Sequence, residues 1–287
     1  MSTPKPIEVL FDTGHNDEVA PDEPELSKLG ELLKKNTINF NFTKNPLTPD
    51  LFENCHVLVL GNPLDAAFTS DEISAIVSFV KSGGGLLLIS GATIFGKGGD
   101  SARSTNLNTI TKEFDFEFSD KAIAISEEQI TAIPSAQHPV VKGVRQLEFT
   151  TGTSIKPGDT STHLFRAANI PGSPTIVIAT ESGKGRILAI GGATPFFNDH
   201  IQASDHDSFI IQALNWLAGV SPIPSVTRLA TPSEKVDEVL AQEVIDDLRQ
   251  QLERLERELN ELRNTINTSL KEMEKVIQEF QQDEKST

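Results

Sequence analysis

Apolar positions along the first half of the chain recur with two periods that take turns. IEVLF (Ile7 to Phe11) reads as a buried strand. PELSKLGELLKK (Pro24 to Lys35) then puts Leu26, Leu29, Leu32 and Leu33 on one helical face. INFNF (Ile38 to Phe42) alternates with period two, as a half-buried strand does, and VLVL (Val57 to Leu60) reads as a short buried strand. Thr69 and Glu72 have the spacing of a capping box, and Ile73, Ile76, Val77 and Val80 follow as the stripe of a helix. Gly83 to Gly85 end that helix and lead into the strand LLLIS. This β-α-β-α-β order predicts a mostly parallel sheet with helices on both faces.

The second half is richer in strands. Phe114, Phe116 and Phe118 alternate, as does much of LEFTTGTSI (Leu147 to Ile155). HLFRAA (His163 to Ala168), TIVIAT (Thr175 to Thr180) and RILAIGG (Arg186 to Gly192) predict further strands, the last two joined as a hairpin through ESGKGR. A final helix carries Ile210, Ala213, Leu214 and Leu217 as its stripe, with Ser204 as the expected cap. One segment recurs nearly intact: LLLISGATIF (Leu86 to Phe95) and ILAIGGATPF (Ile187 to Phe196) both run from a strand into Gly-Ala-Thr.

Past Gly219 the pattern changes. Residues 221–235 hold Pro222, Pro224 and Pro232 and read as a linker between an α/β domain (1–220) and a C-terminal segment (236–287). In that segment Ile245, Leu252, Leu259, Ile266, Met273 and Phe280 are spaced by seven. Leu248, Leu255, Leu262, Ser269 and Val276 repeat three residues later. This seam predicts a coiled coil, roughly 70 Å long if helical throughout. Glu258 and Arg263 suit a parallel homodimer. Ser269 weakens the seam, and Leu270 and Ile277 broaden it, so a trimer or another coiled-coil chain stays open, as does a single charged helix folded back on the domain.

Composition narrows the function classes. The chain has 287 residues with 41 acidic and 25 basic side chains, a net charge of −16. That balance argues against nucleic-acid binding and against docking on anionic membranes. The start MSTPKPIEVL predicts no signal peptide, and no apolar run has the length of a membrane span, so a soluble cytoplasmic protein is expected, with no direct membrane insertion. The single cysteine, Cys55, excludes an internal disulfide and a cysteine-based zinc site, and reads as buried and inert.

The candidate chemistry is thin. GATIFGKGGD (Gly91 to Asp100) lacks the P-loop spacing, and DTGHN after the first strand is not a dinucleotide fingerprint. Ser90-Gly91-Ala92 is the nearest match to a nucleophile elbow, but Leu88 stands where its flanking glycine belongs. Asp199, His200, Asp205, His206 and Asp207 fit no standard metal spacing, so neither a metal nor a cofactor is expected. If their strands run parallel, Asp12, Thr13, His15, Asn16, Asn62, Gly91, Asn198 and Asp199 line a polar cleft at the strand ends, a candidate ligand site rather than a catalytic one.

FTSDEISAIVSFVKSGGGLLLISG (Phe68 to Gly91), NLNTITKEFDFEF (Asn106 to Phe118), HPVVKGV (His138 to Val144) and GKGRILAIGGATPFFND with FIIQALNWLAG (Gly183 to Gly219) together resemble the GIFT domain family. The resemblance covers about residues 5–219. It implies a flavodoxin-like fold akin to class I glutamine amidotransferases, and a non-catalytic module in a transport or scaffold assembly. ABC-transporter, cytoskeletal or transport-complex subunits are the partners it suggests. Amidotransferases keep a cysteine near Ser90, and relatives often carry Gly-Asp where Gly192-Ala193 stands here. The sequence therefore leads to a non-enzymatic scaffold that self-associates or recruits a partner through its coiled coil. The alternatives are a small-molecule or carbohydrate-binding module and a hydrolase with a degenerate elbow.

Overall fold

The computed structural model describes residues 6–15, 19, 21, 23–61, 67–91, 106–123 and 129–219. The linker, the heptad segment and the candidate residues Asn16 and Asn62 lie outside the described residues.

The chain opens with β1 (Ile7–Asp12), α1 (Ser27–Lys35), β2 (Ile38–Thr43), β3 (Val57–Gly61), α2 (Ser70–Ser82) and β4 (Gly85–Ile89). A short α3 (Asn108–Thr111), β5 (Glu117–Ile123), β6 (Ile130–Pro134), β7 (Leu147–Phe149) and β8 (Gly152–Lys156) follow. Then come β9 (Thr162–Ala167), β10 (Thr175–Ser182), β11 (Gly185–Ile190) and α4 (His206–Leu217). A nine-stranded sheet has the order β2-β1-β3-β4-β11-β10-β9-β6-β7, and β5 pairs with β8 in a separate ribbon. The five strands from β2 to β11 pair in parallel. From β11 to β7 every pairing is antiparallel.

The parallel half has the order 2-1-3-4-5 of flavodoxin-like sheets, with β11 as the fifth strand and β5 to β10 inserted before it. Its inner strands β3, β4 and β11 are buried on both faces, which is why they read as unbroken apolar runs, whereas the edge strand β2 alternates between buried and exposed positions. Val57 and Val59 of β3 face one core with Leu29 and Leu33 of α1 and Phe209 and Ile210 of α4. Leu58 and Leu60 face the other, with Ile76 and Val80 of α2 and Ile110 of α3. Side chains that alternate across a strand thus feed two separate cores.

The capping box forms as its spacing predicts: Thr69 Oγ1 accepts from Glu72 N, and Glu72 Oε2 accepts from Thr69 N at 2.9 Å. The repeated segments are neighbours. β4 and β11 pair with Leu86 beside Ile187 and Ile89 beside Ile190, the same alignment the repeat gives in sequence. The hairpin of β10 and β11 also forms.

Three local expectations are corrected. Phe114, Phe116 and Phe118 are all buried, but Phe114 ends a 3-10 turn, Asp115 takes a left-handed φ of 60°, and strand begins only at Glu117. LEFTTGTSI is two strands in different sheets, since β7 edges the large sheet and β8 pairs with β5. Ser204 does not cap α4. It has a φ of 49°, and the helix begins at His206 after Asp205. The Asp205 carboxylate is spent on a tertiary contact instead, accepting from Arg145 N at 2.8 Å.

Candidate functional site

In a sheet of this order the ligand crevice falls where the chain reverses direction, between β1 and β3. The parallel strands bring the ends of β1, β3, β4 and β11 to one edge, as the cleft expectation requires.

Asp12 closes β1 and is fully buried. Its Oδ1 accepts from Gly14 N at 2.9 Å, and its Oδ2 lies 2.5 Å from His15 Nδ1. On the far side of the ring, His15 Nε2 is 3.4 Å from Glu72 Oε1. The imidazole stacks on Phe68 with centroids 4.1 Å apart. Both ring nitrogens thus face carboxylate oxygens, an arrangement that an imidazolium satisfies and a neutral ring with one lone pair does not. Burial pushes the Glu72 carboxyl up. The N–H and hydroxyl of Thr69, the N–H of Leu47 and the nearby His15 outweigh it and hold the carboxyl below its usual range. Thr13 is occupied as well, its N–H and hydroxyl both donating to Thr43 O.

One described residue of the segment after β1 reaches the end of β3. Val19 is fully buried, and its N–H donates to Gly61 O at the end of β3. A side chain at position 61 would place its Cβ 2.6 Å from the Cβ of Val19, so glycine is what lets the loop close down.

Asn198 belongs to a different group. Its Nδ2 donates to Pro24 O and Ser27 Oγ, and its Oδ1 accepts from Lys28 N, so it ties the loop after β11 to the start of α1. Asp199 beside it is exposed. The structure therefore gathers Asp12, Thr13 and His15 with Glu72 and Phe68, and joins Asn198 to α1. Glu72 escaped the sequence reading because its capping role already accounted for it; its second oxygen carries the contact to His15.

Among the described residues, no base pairs with the hydroxyl at the elbow position. Ser90 is fully buried and its Oγ has no hydrogen-bond partner, while its N–H donates to Ile190 O. His15, beyond the end of β1, is engaged by two carboxylates. In the aligned position of β11, a Cβ on Gly191 would sit 2.0 Å from Thr153 O, because β8 crosses directly over that strand end. Burial pushes the Cys55 thiol up to about 12, which leaves it inert at neutral pH.

The acidic and histidine cluster after β11 is structural. His206 Nε2 accepts from Glu148 N at 2.9 Å, so Nδ1 is left to donate to His200 O at 2.8 Å. Burial pulls its basicity down, which favours the neutral ring this geometry needs. Among the described residues no three His, Cys, Asp or Glu side chains are placed to share a metal ion. The Asp12 and Glu72 carboxylates approach opposite nitrogens of the His15 ring and do not converge. Open grooves among the described residues lie elsewhere. One of about 640 Å³ runs along α2 past Ser74, Val77 and Lys81, and one of about 230 Å³ lies between Lys28 of α1 and Asp207.

Comparison with known proteins agrees with this architecture. Residues 8–127 match the family described as the IFT52 GIFT domain, which bears out the resemblance carried by the motifs between Phe68 and Phe118. No curated protein matches in sequence. Among solved structures, the mmIFT52 N-terminal domain superposes with a TM-score of 0.64 at 14% identity, covering 75% of this chain and 99% of that one. The cytoplasmic protein STM1381 from Salmonella typhimurium LT2 gives 0.56 at 15% identity, with coverages of 74% and 99%. A ThuA-like protein from Bacteroides uniformis gives 0.51 at 12% identity, with coverages of 76% and 93%. At these identities the likeness is one of fold, and it fits the flavodoxin-like order of the parallel strands. No helix among the described residues is long and apolar enough to cross a membrane.

Proposed function

We propose that this protein is a non-catalytic assembly subunit. Residues 1–220 form an α/β domain that presents a binding surface, 221–235 a linker, and 236–287 a coiled coil that joins two copies in parallel or recruits another coiled-coil chain. The observation that supports it best is that the described polar groups at the end of β1 are engaged by the protein itself: His15 is pinned between Asp12 and Glu72, and Val19 is bonded to Gly61 at the end of β3. Ser90 supports the same reading, because a buried hydroxyl without a base is not a nucleophile. The match to the IFT52 GIFT domain adds a transport-complex subunit as the kind of assembly to expect.

A carbohydrate- or nucleotide-binding role that uses Asp12 and His15 would need the buried charge cluster at the end of β1 to open. A thermal-shift screen of sugars and nucleotides on the full chain tests this. The proposal expects no rise in melting temperature. A rise that disappears in Asp12→Ala would overturn the non-ligand reading and place a site at β1.

A further inference from the structure

The nine-stranded sheet ends in two very different edges. β7 is three residues long, and its outward groups are taken: Glu148 N donates to His206 Nε2, and Thr150 N just beyond it donates to Thr194 Oγ1. β2 is six residues long and, among the described residues, pairs only with β1. Exposed edges are usually protected by charge, proline or a bulge. From Asn36 to Thr43 (NTINFNFT) there is no charged residue and no proline, and the pairing with β1 runs in unbroken register. β2 also carries Phe42, one of two exposed large hydrophobic side chains among the described residues. Phe42 rests against Phe40 and Phe11, with centroids 5.7 and 6.1 Å away.

The two ends of this strand are basic in a strongly acidic chain. Lys34 and Lys35 precede it and Lys44 follows it, all exposed. Antiparallel pairing of two copies through β2 would set the Lys34–Lys35 end of one against Lys44 of the other. Like charges there disfavour a second copy and favour an acidic strand.

We propose that the open edge of β2 docks an extended segment of a partner protein, with apolar residues alternating along it and acidic residues at its ends, which joins the sheet as a further strand. Main-chain hydrogen bonds supply the attachment, Phe40 and Phe42 receive the alternating apolar side chains, and the lysines select the acidic flanks. The proposal rests on the assembly reading but uses no part of the heptad seam.

The test uses the full chain and a fluorescein-labelled nine-residue peptide with two acidic residues at each end and alternating valine and threonine between them. The expected result is saturable binding that weakens by about tenfold or more with lysine-ended peptide, with peptide N-methylated at alternate residues, and in the exposed-site variants Phe42→Glu and Lys44→Glu. Amide exchange in residues 38–43 should slow when the peptide binds. Three results would overturn the proposal: no binding, binding indifferent to N-methylation, or protection elsewhere than β2. It would also fall if β2 amides became protected with rising protein concentration and no peptide, since the edge would then pair with a second copy. A chain that still assembles through its heptads yet ignores the peptide would sink this inference alone.

Discussion

His15 Nδ1 lies 2.5 Å from Asp12 Oδ2, and both side chains are buried at the end of the first strand. Removing the ring leaves the Asp12 carboxylate without its partner in the interior and takes the counter-charge from Glu72. His15→Ala should therefore lower unfolding free energy by roughly 3–5 kcal/mol, the cost of breaking a buried ion pair from one side. Urea denaturation measures it; a loss below about 1 kcal/mol would mean that the cluster does not hold the β1 loop in place.

Stability should fall on acidification in two stages. His206 and His138 are both held below the usual histidine range, chiefly by burial. Their folded-state values lie under the unfolded one, so their contribution is complete above about pH 6.5 and is lost as pH drops through the folded values. Glu72, also depressed, contributes above about pH 4.3 and is lost at lower pH. Melting temperatures between pH 8 and pH 3 should show both declines, and His206→Gln should flatten the first. A profile level from pH 7 to pH 5 would contradict the buried neutral histidines.

Ser90→Ala should leave stability within about 1 kcal/mol of the parent or raise it, because an unpartnered buried hydroxyl contributes nothing in return for its desolvation. Serine-directed fluorophosphonate should leave the intact protein unlabelled. Labelling at Ser90 would revive the hydrolase alternative.

Gly191→Ala should behave in the opposite way to Ser90→Ala, although the two positions align in the repeat. The new methyl would collide with Thr153 O, and the β8 ribbon would have to shift, at a cost of about 2 kcal/mol or more. Equal tolerance at both positions would show that β8 does not pack over the end of β11 as described.

These residues also mark where the sequence was readable. Thr69 and Glu72 signalled a cap because both partners lie within one helical turn. Ile210, Ala213, Leu214 and Leu217 signalled a helix because its period is local, and all four are buried. The repeat aligns in the register in which β4 and β11 pair, but nothing in it announces that the two strands are neighbours. What stayed hidden depends on partners far along the chain. Nothing near Asp205 announces that Arg145 claims its carboxylate. Nothing near Asn198 announces α1, so it was grouped with Asp12 because both follow parallel strands. β6 went unread because it is short and ends in proline. His15 stood out near the end of β1, but its contact with Glu72 did not, because that carboxylate comes from another element.

The central claim is that this chain functions by assembling, and the mass of the full-length protein in solution tests it most directly. Sedimentation equilibrium at micromolar concentration should give two chains, and one chain for the seam double variant Leu252→Asp with Leu259→Asp, with the α/β domain still folded in both. A single-chain mass for the unmodified protein and for residues 236–287 alone would contradict self-assembly through the seam and leave only recruitment of a different chain.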